Sequence, residues 1–433
     1  MSEDTRMNGT VQEAGMSSAE GEVRMNSTVE NAPMSNTAEE ARVGSTLIVH
    51  ASIVTANQVI ENGWIWMREG RIERIGLAED ALPDTADALN RIDAEGGWVI
   101  PGFVDVHVHG GAGHDFMDAD QAGLDAIARF HASHGTTSLL ATSLTASREE
   151  LTEVLRRVGD YRSRPMPYAQ IVGVHFEGPF ISEKWKGAQN PDYILPLQKE
   201  WLLEWVREFP GLIKLQTLSP ESEGALDYIE LLVENGIVPS CGHTDATYDE
   251  VIAAADRGLR HAVHTFNAMK PLHHREPGTV GAVLTDDRIA AEVISDGHHV
   301  HAGAIKLITR AKGPDKVILV TDAMAAAGMP DGDDYDLGGL PVVMKCGVAR
   351  LKESGNLAGS TLTMIGAFQH MVRAVGVSVE DASKMASGNP ARQIGIDAFA
   401  GTLAAGKRAD VLLLDSSLEL KQVWVGGAAH SAE

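Results

Sequence analysis

Six side chains of types that bind divalent metals stand in apolar runs of this 433-residue chain, five of them where the run stops. His107 and His109 close a run that begins at residue 104. Glu177 closes the run from 171, within His175-Phe176-Glu177-Gly178-Pro179. His243 closes the run from 237, His264 lies in the run 261–267, and Asp322 closes the run 317–322. The two-residue spacing of His107 and His109 puts both imidazoles on one face of a strand, because side chains alternate along it. Taken alone, each residue has a plainer reading. A strand histidine is more often a hydrogen-bonded core residue, and a glutamate before Gly-Pro usually belongs to a turn. Four histidines and two carboxylates arriving together at strand ends are poorly explained by packing. Mixed nitrogen and carboxylate donors suit zinc, iron or a similar divalent ion. Such an ion lowers the pKa of its water toward neutrality, generating hydroxide, and polarises a carbonyl. A carboxylate beside that water and not fully committed to the ion can carry a proton to a leaving group. Asp322, at the end of its strand, fits that role best.

Elements that could gather these residues are visible in the pattern. Eight short β-rich runs cover residues 104–109, 136–144, 171–178, 213–218, 237–243, 261–267, 290–296 and 317–322. Amphipathic helices alternate with them. Residues 149–161 have apolar positions at helical spacing, 226–234 stop at Gly236, and Thr247-x-x-Glu250 is a capping box for a helix closed by Gly258. Eight strands alternating with helices predict an α/β fold, a (β/α)8 TIM barrel over residues 101–394, whose C-terminal strand ends converge on one site. A doubly wound sheet would favour a Gly-rich phosphate turn directly before a helix, and none is found. Residues 44–100 and 395–427 hold strand-like runs, with turn signals at Glu61-Asn62-Gly63 and Glu69-Gly70. They predict a small β-sandwich domain made from both ends of the chain.

The loops after the sixth and seventh runs bring cationic and amide groups to the functional face. Arg275 could bind a phosphate through forked hydrogen bonds; pairing with Glu276 at the surface is the plainer reading. Gly110-Gly111-Ala112-Gly113 reads as a hinge or mobile lid. Cys241, two residues before His243, has apolar neighbours and is better placed as small core packing than as a nucleophile.

Composition narrows the partners. Sixty acidic against 36 basic residues give a formal charge of −24 with no basic stripe, which disfavours nucleic acid. The two cysteines, Cys241 and Cys346, form no CxxC pattern and suggest a reducing compartment. No apolar run of about 18 residues spans a membrane, and the polar, acidic start lacks the apolar core of a signal peptide. The cytoplasm is the expected location. Residues 1–43, rich in Ser, Asn, Glu, Gly and Ala, read as a disordered low-complexity tail. It carries a loose nine-residue repeat at Met7, Met16, Met25 and Met34.

With these residues in view, the chain closely resembles the N-acetylglucosamine-6-phosphate deacetylase family of the amidohydrolase superfamily. The resemblance runs from about residue 45 to 427. It is carried by Pro101-Gly102-Phe103-Val104-Asp105-Val106-His107-Val108-His109-Gly110, His175-Phe176-Glu177-Gly178-Pro179-Phe180, Gly242-His243-Thr244-Asp245-Ala246, His264-Thr265-Phe266-Asn267-Ala268-Met269, Arg275-Glu276-Pro277-Gly278, Thr321-Asp322-Ala323 and Leu357-Ala358-Gly359-Ser360. It implies hydrolysis of the acetamide of a phosphorylated amino sugar, with Glu177, His243 and His264 on one ion and Asp322 as catalytic acid/base. Some members have Gln and Asn for the first-strand pair and keep one metal. His107 and His109 make this chain look like the two-metal members, with Glu177 bridging and Asp322 on the second ion. One or two divalent ions, zinc or iron, are therefore expected. Substrate contacts would fall on Ala188, Gln189, Asn267, Ala268, Arg275, Asp296, His299, Leu357, Ala358 and Gly359. A phosphate pocket completed by a neighbouring subunit implies a homodimer. At Gln189 some members carry a histidine that helps polarise the acetyl carbonyl. Glutamine can donate a hydrogen bond there but carries no charge. The alternatives are a deacetylase of N-acetylgalactosamine 6-phosphate, a cyclic amide hydrolase, or a catalytically dead barrel serving assembly. A cyclic amide hydrolase would more often need a lysine at the end of the fourth strand, whereas Lys214 stands near its start. A dead barrel would be expected to have lost ligands.

Overall fold

A computed structural model describes residues 44–83 and 89–432; the expected tail with its nine-residue repeat lies outside the described residues. Eight parallel strands neighbour one another in chain order: Phe103–Asp105, Thr136–Ser143, Gln170–Glu177, Ile213–Leu218, Val238–Cys241, His261–Ala262, Ala290–Ile294 and Val317–Val320. The first and eighth are stitched just beyond their ends. The Asp322 N–H donates to the His107 carbonyl and the His109 N–H to the Ala323 carbonyl, both at 2.8 Å, while the Thr321 hydroxyl donates to the Asp105 carboxylate. The barrel is thereby closed at its C-terminal mouth.

A helix follows each strand, as the alternation predicts. Arg148–Arg162 shows why these segments are helical. Ser147 and Glu150 form a capping box, and Leu151, Val154, Leu155 and Val158 repeat at three- and four-residue intervals along a buried stripe. Each such side chain contributes about 1.5–3 kcal/mol by leaving water. Thr247 and Glu250 cap Tyr248–Asp256 in the same way, as expected.

The chain's two ends meet in one connected eight-stranded sheet. Trp98–Pro101 is its seam, parallel to Ser45–Val54 on one side and antiparallel to Val411–Leu414 on the other. Ile48, Ile65, Val99, Val411 and Trp424 form a core under it. The expected turn at Glu61-Asn62-Gly63 is not a turn. It lies inside the strand Val59–Arg68, where the register slips and Asn62 adopts a φ of 50°. A bulge needs the same left-handed residue that a turn does, so the signal was genuine and its meaning differed. The Glu69-Gly70 turn is present.

Two further findings depart from expectation. Five of the barrel strands stop two to five residues earlier than their apolar runs: at Asp105, Cys241, Ala262, Ile294 and Val320. The Gly110 segment is a short hairpin rather than a lid. Gly110–Gly111 pairs with His114–Asp115, and Gly110, Ala112 and Gly113 donate to the carbonyls of Ala323, Ala327 and Ala325 at 2.8–3.0 Å. A Cβ on Gly110 would come within 2.1 Å of the His114 carbonyl oxygen, so only glycine fits. A three-stranded antiparallel insert, Asp334–Leu337, Leu340–Lys345 and Val348–Leu351, follows the eighth strand. Its own small core includes Leu144 and Met324 beside the barrel mouth.

Candidate active site

The six candidate ligands come together at the C-terminal mouth as two triads. Glu177, His243 and His264 form one; His107, His109 and Asp322 form the other. Within each, the donor atoms lie inside 4.8 Å of one another, and all six residues are buried. Glu177 lies between them. Its Oε1 is 3.1 Å from His243 Nε2, 3.0 Å from His264 Nε2 and 3.3 Å from His107 Nε2, and its Oε2 is 3.4 Å from His109 Nε2. Asp322 Oδ1 is 3.2 Å from His109 Nε2 and 3.6 Å from His107 Nε2.

Only Glu177 belongs to a regular strand. The other five sit just past strand ends, and His243, His264 and Asp322 have positive φ of 46°, 29° and 51°. Non-glycine residues in this region cost on the order of 1–3 kcal/mol each. The local twist turns side chains that would otherwise alternate in and out over the barrel axis. Asp322 is therefore aimed by leaving its strand, not by ending it.

The donor set fits a metal ion on its own chemistry. The Trp185 carbonyl, 2.9 Å from His243 Nδ1, can only accept, so His243 carries its proton on Nδ1 and presents a bare Nε2 lone pair. The Glu292 carboxylate, 2.9 Å from His107 Nδ1, imposes the same tautomer there and leaves the buried Nε2 without a hydrogen-bond partner. Bare nitrogens thus face the oxygens of Glu177 and Asp322, and the Nε2 atoms of His243 and His264 approach to 3.1 Å. Acceptors converge on acceptors, an arrangement that a cation between them resolves.

Without an ion, protons would take its place: the buried carboxylates draw them onto the imidazoles that face them. Burial disfavours a charged His109, but Asp322 and Glu177 outweigh it and push its pKa up to about 9. His107, buried against Glu177, Glu292 and Asp322, is likewise held well above the usual imidazole range. Burial would raise Glu177, yet His107 and His243 hold it well below the ordinary carboxylate range. Asp322 is also lowered, burial being overcome by His107 and His109. The site keeps its carboxylates ionised and asks for positive charge. His175, though part of the same motif, is no member of either triad: it lies in the barrel against His107, bonded to Thr217 at 2.8 Å, and burial holds it neutral.

A cavity of about 570 Å³ opens over the triads. Of the expected substrate residues, Ala188, Gln189, Asn267, Ala268, His299, Leu357 and Gly359 line it. Ala358 is fully buried, because alternation in the extended segment turns it toward the insert's core. Asp296 lines an adjoining cavity and accepts from His299 Nδ1 at 2.6 Å. Arg275 lines neither: it is exposed on its loop, with His274 Nε2 2.8 Å from its guanidinium. It does not pair with Glu276 either; the nearby imidazole is the partner its loop offers. Gln189 is buried, donating to Glu177 Oε2 at 2.6 Å and accepting from the Thr145 N–H at 2.7 Å. Cys241 is a core thiol, pushed up to about 12 by burial.

Sequence reasoning missed Glu292 and His261, which lie beneath the ligands, and Lys184 and Arg350, which line the cavity. Glu292 had left a signal, as the one charge in the apolar run 290–294. Arg350 is on the unforeseen insert; Lys184 is paired with Asp245 at 2.9 Å.

This barrel, with its candidate metal ligands at strand ends, is that of a metal-dependent hydrolase. Residues 98–429 match the amidohydrolase family model, and the chain belongs to that family. It is 38% identical over 377 residues to the N-acetylglucosamine-6-phosphate deacetylase of Bacillus subtilis strain 168, covering 86% of this chain and 94% of the relative. It is 41% identical over 371 residues to an N-acetylgalactosamine-6-phosphate deacetylase of Escherichia coli O157:H7, covering 86% and 97%. Among solved structures, a Mycobacterium smegmatis N-acetyl-D-glucosamine-6-phosphate deacetylase mutant in complex with N-acetyl-D-glucosamine-6-phosphate superposes with a TM-score of 0.83. That match covers 89% of this chain and 99% of the other at 35% identity.

Proposed function

We propose that this chain hydrolyses the acetamide of N-acetyl-D-glucosamine 6-phosphate to glucosamine 6-phosphate and acetate. The observation that carries this is the complete pair of buried triads in a chain otherwise like the sugar-phosphate deacetylases over most of its length. Glu177, His243 and His264 would hold one ion. His107, His109 and Asp322 would hold a second, with Glu177 between them; zinc and iron both suit these donors. A divalent ion supplies Lewis acidity toward the carbonyl and lowers the pKa of water at the site.

The residues themselves do the rest. Asp322, kept ionised, takes a proton from the attacking water as its oxygen bonds to the acetyl carbon. It returns that proton to the amide nitrogen as the C–N bond breaks, leaving acetate and a free amine. Gln189 has one amide N–H left over from its bonds to Glu177 and Thr145 and can offer it to the acetyl oxygen. His299, Asn267 and Leu357 shape the sugar's end of the cavity. Arg275 is exposed and lies outside its own chain's cavity; a role in phosphate binding would therefore be toward a neighbouring subunit, in a homodimer. Two free cysteines suit the reducing cytoplasm. Among the described residues, no helix is long and apolar enough to cross a membrane.

The galactosamine relative at 41% identity keeps the C4 epimer open as a second substrate. The test is acetate release from both N-acetylated 6-phosphates and from both free sugars. The glucosamine phosphate should be turned over fastest; a higher kcat/KM for the galactosamine phosphate would reassign the substrate, and a free sugar handled as well as its phosphate would remove the phosphate from the proposal.

A further inference from the structure

Glu292 is the one charged residue of the strand Ala290–Ile294, and it is completely buried. An isolated carboxylate in such a place is costly unless its oxygens are satisfied. Here both are, and the bonds of Oε2 lead to candidate ligands. Oε2 accepts from His107 Nδ1 at 2.9 Å and from the backbone N–H of His264 at 3.2 Å. Oε1 accepts from His261 Nε2 at 2.5 Å. His261, also fully buried, holds the carboxylate from the strand beside it.

The two triads are supported unequally. His243 is oriented by a neutral backbone carbonyl, that of Trp185. His107 is oriented by an ionic group that also grips the chain at His264, a residue of the other triad. A carboxylate behind a histidine ligand fixes its tautomer and raises its basicity, and such partners matter to metal affinity nearly as much as the ligands do. We infer that Glu292 is the positioning residue for His107, and that it determines whether the His107–His109–Asp322 triad holds an ion. This rests on the two-ion reading above.

The experiment counts ions in the full chain at buffered concentrations of free metal, with the melting temperature of the chelated protein measured alongside. Wild type should hold two. Glu292→Ala should keep the ion of Glu177, His243 and His264 and bind the other about 10- to 100-fold more weakly. Glu292→Gln should fall between, because its carbonyl still accepts from His107 but more weakly than a carboxylate. A Glu292→Ala protein that binds both ions with wild-type affinity overturns the inference. So does one whose chelated form melts lower while its ion count and affinities stay unchanged, since Glu292 would then be a packing residue. If Glu292→Ala yields no soluble protein, unchanged second-ion affinity in Glu292→Gln overturns it equally. A wild type with a single ion would sink the two-ion reading and this inference together; two ions in wild type and two of unchanged affinity in the variant would sink this one alone.

Discussion

At the floor of the cavity, six buried side chains meet, each held by barrel backbone or by another buried group. At its rim, Lys184 and Arg350 are exposed and have surface partners, Asp245 and the Gly355 carbonyl at 3.0 Å; Arg275, outside the cavity on its own loop, has His274. The floor is built from five strand ends that closure of the barrel must bring together. Nothing comparable constrains the rim. The candidate ligands are thus placed by the fold, whereas the cationic side chains around them belong to segments that closure of the barrel does not fix.

Removing the metal should break the floor most completely. Activity should fall to background on exhaustive chelation and return with zinc or ferrous ion. Persistent turnover in chelated protein, verified metal-free, would show that the triads are not the engine. Asp322→Asn comes next, with kcat lowered about a hundredfold or more, the usual scale of general acid–base help, and substrate affinity changed far less. A variant within tenfold of wild type would move proton transfer to another group. Outside the cavity, Arg275→Ala should erase much of the preference for phosphorylated over free sugar, roughly 10- to 150-fold. Equal losses on both substrates would make Arg275 structural.

The same contrast governs what could be read from the sequence. The six floor residues were legible because apolar runs separated by helix signals imply a barrel, and a barrel makes distant strand ends neighbours. Where each strand stops was not legible. His243, His264 and Asp322 lie in left-handed conformations that apolar patterning does not encode, and they are paid for by the closed mouth around them. Glu292 was visible as a charge inside an apolar run, but its meaning needed the 2.9 Å approach of His107 from the far side of the barrel. The loop carrying Arg275 was legible as a cationic segment; that its side chain is exposed and lies outside both cavities was not. The insert carrying Arg350 was missed because its strands are short and its seat over the mouth depends on Leu144 and Met324, distant in sequence.

Arg350 therefore provides the finest test of the difference between floor and rim. It lines the cavity, has no carboxylate partner among the described residues, and sits on the insert seven residues before Leu357. In a protein with a net charge of −24, an unpaired guanidinium at the entrance favours an anionic substrate. Being exposed, it works against water and salt, so a single contact there is worth little. Arg350→Ala should raise KM for the sugar phosphate roughly two- to fivefold at low ionic strength, leave kcat alone, and lose its effect as salt rises. Turnover of the free sugar should not change. An effect as large as that of Arg275→Ala and insensitive to salt would identify Arg350 as a desolvated phosphate ligand instead. The phosphate would then be bound within one chain, and the case for a neighbouring subunit's arginine would weaken.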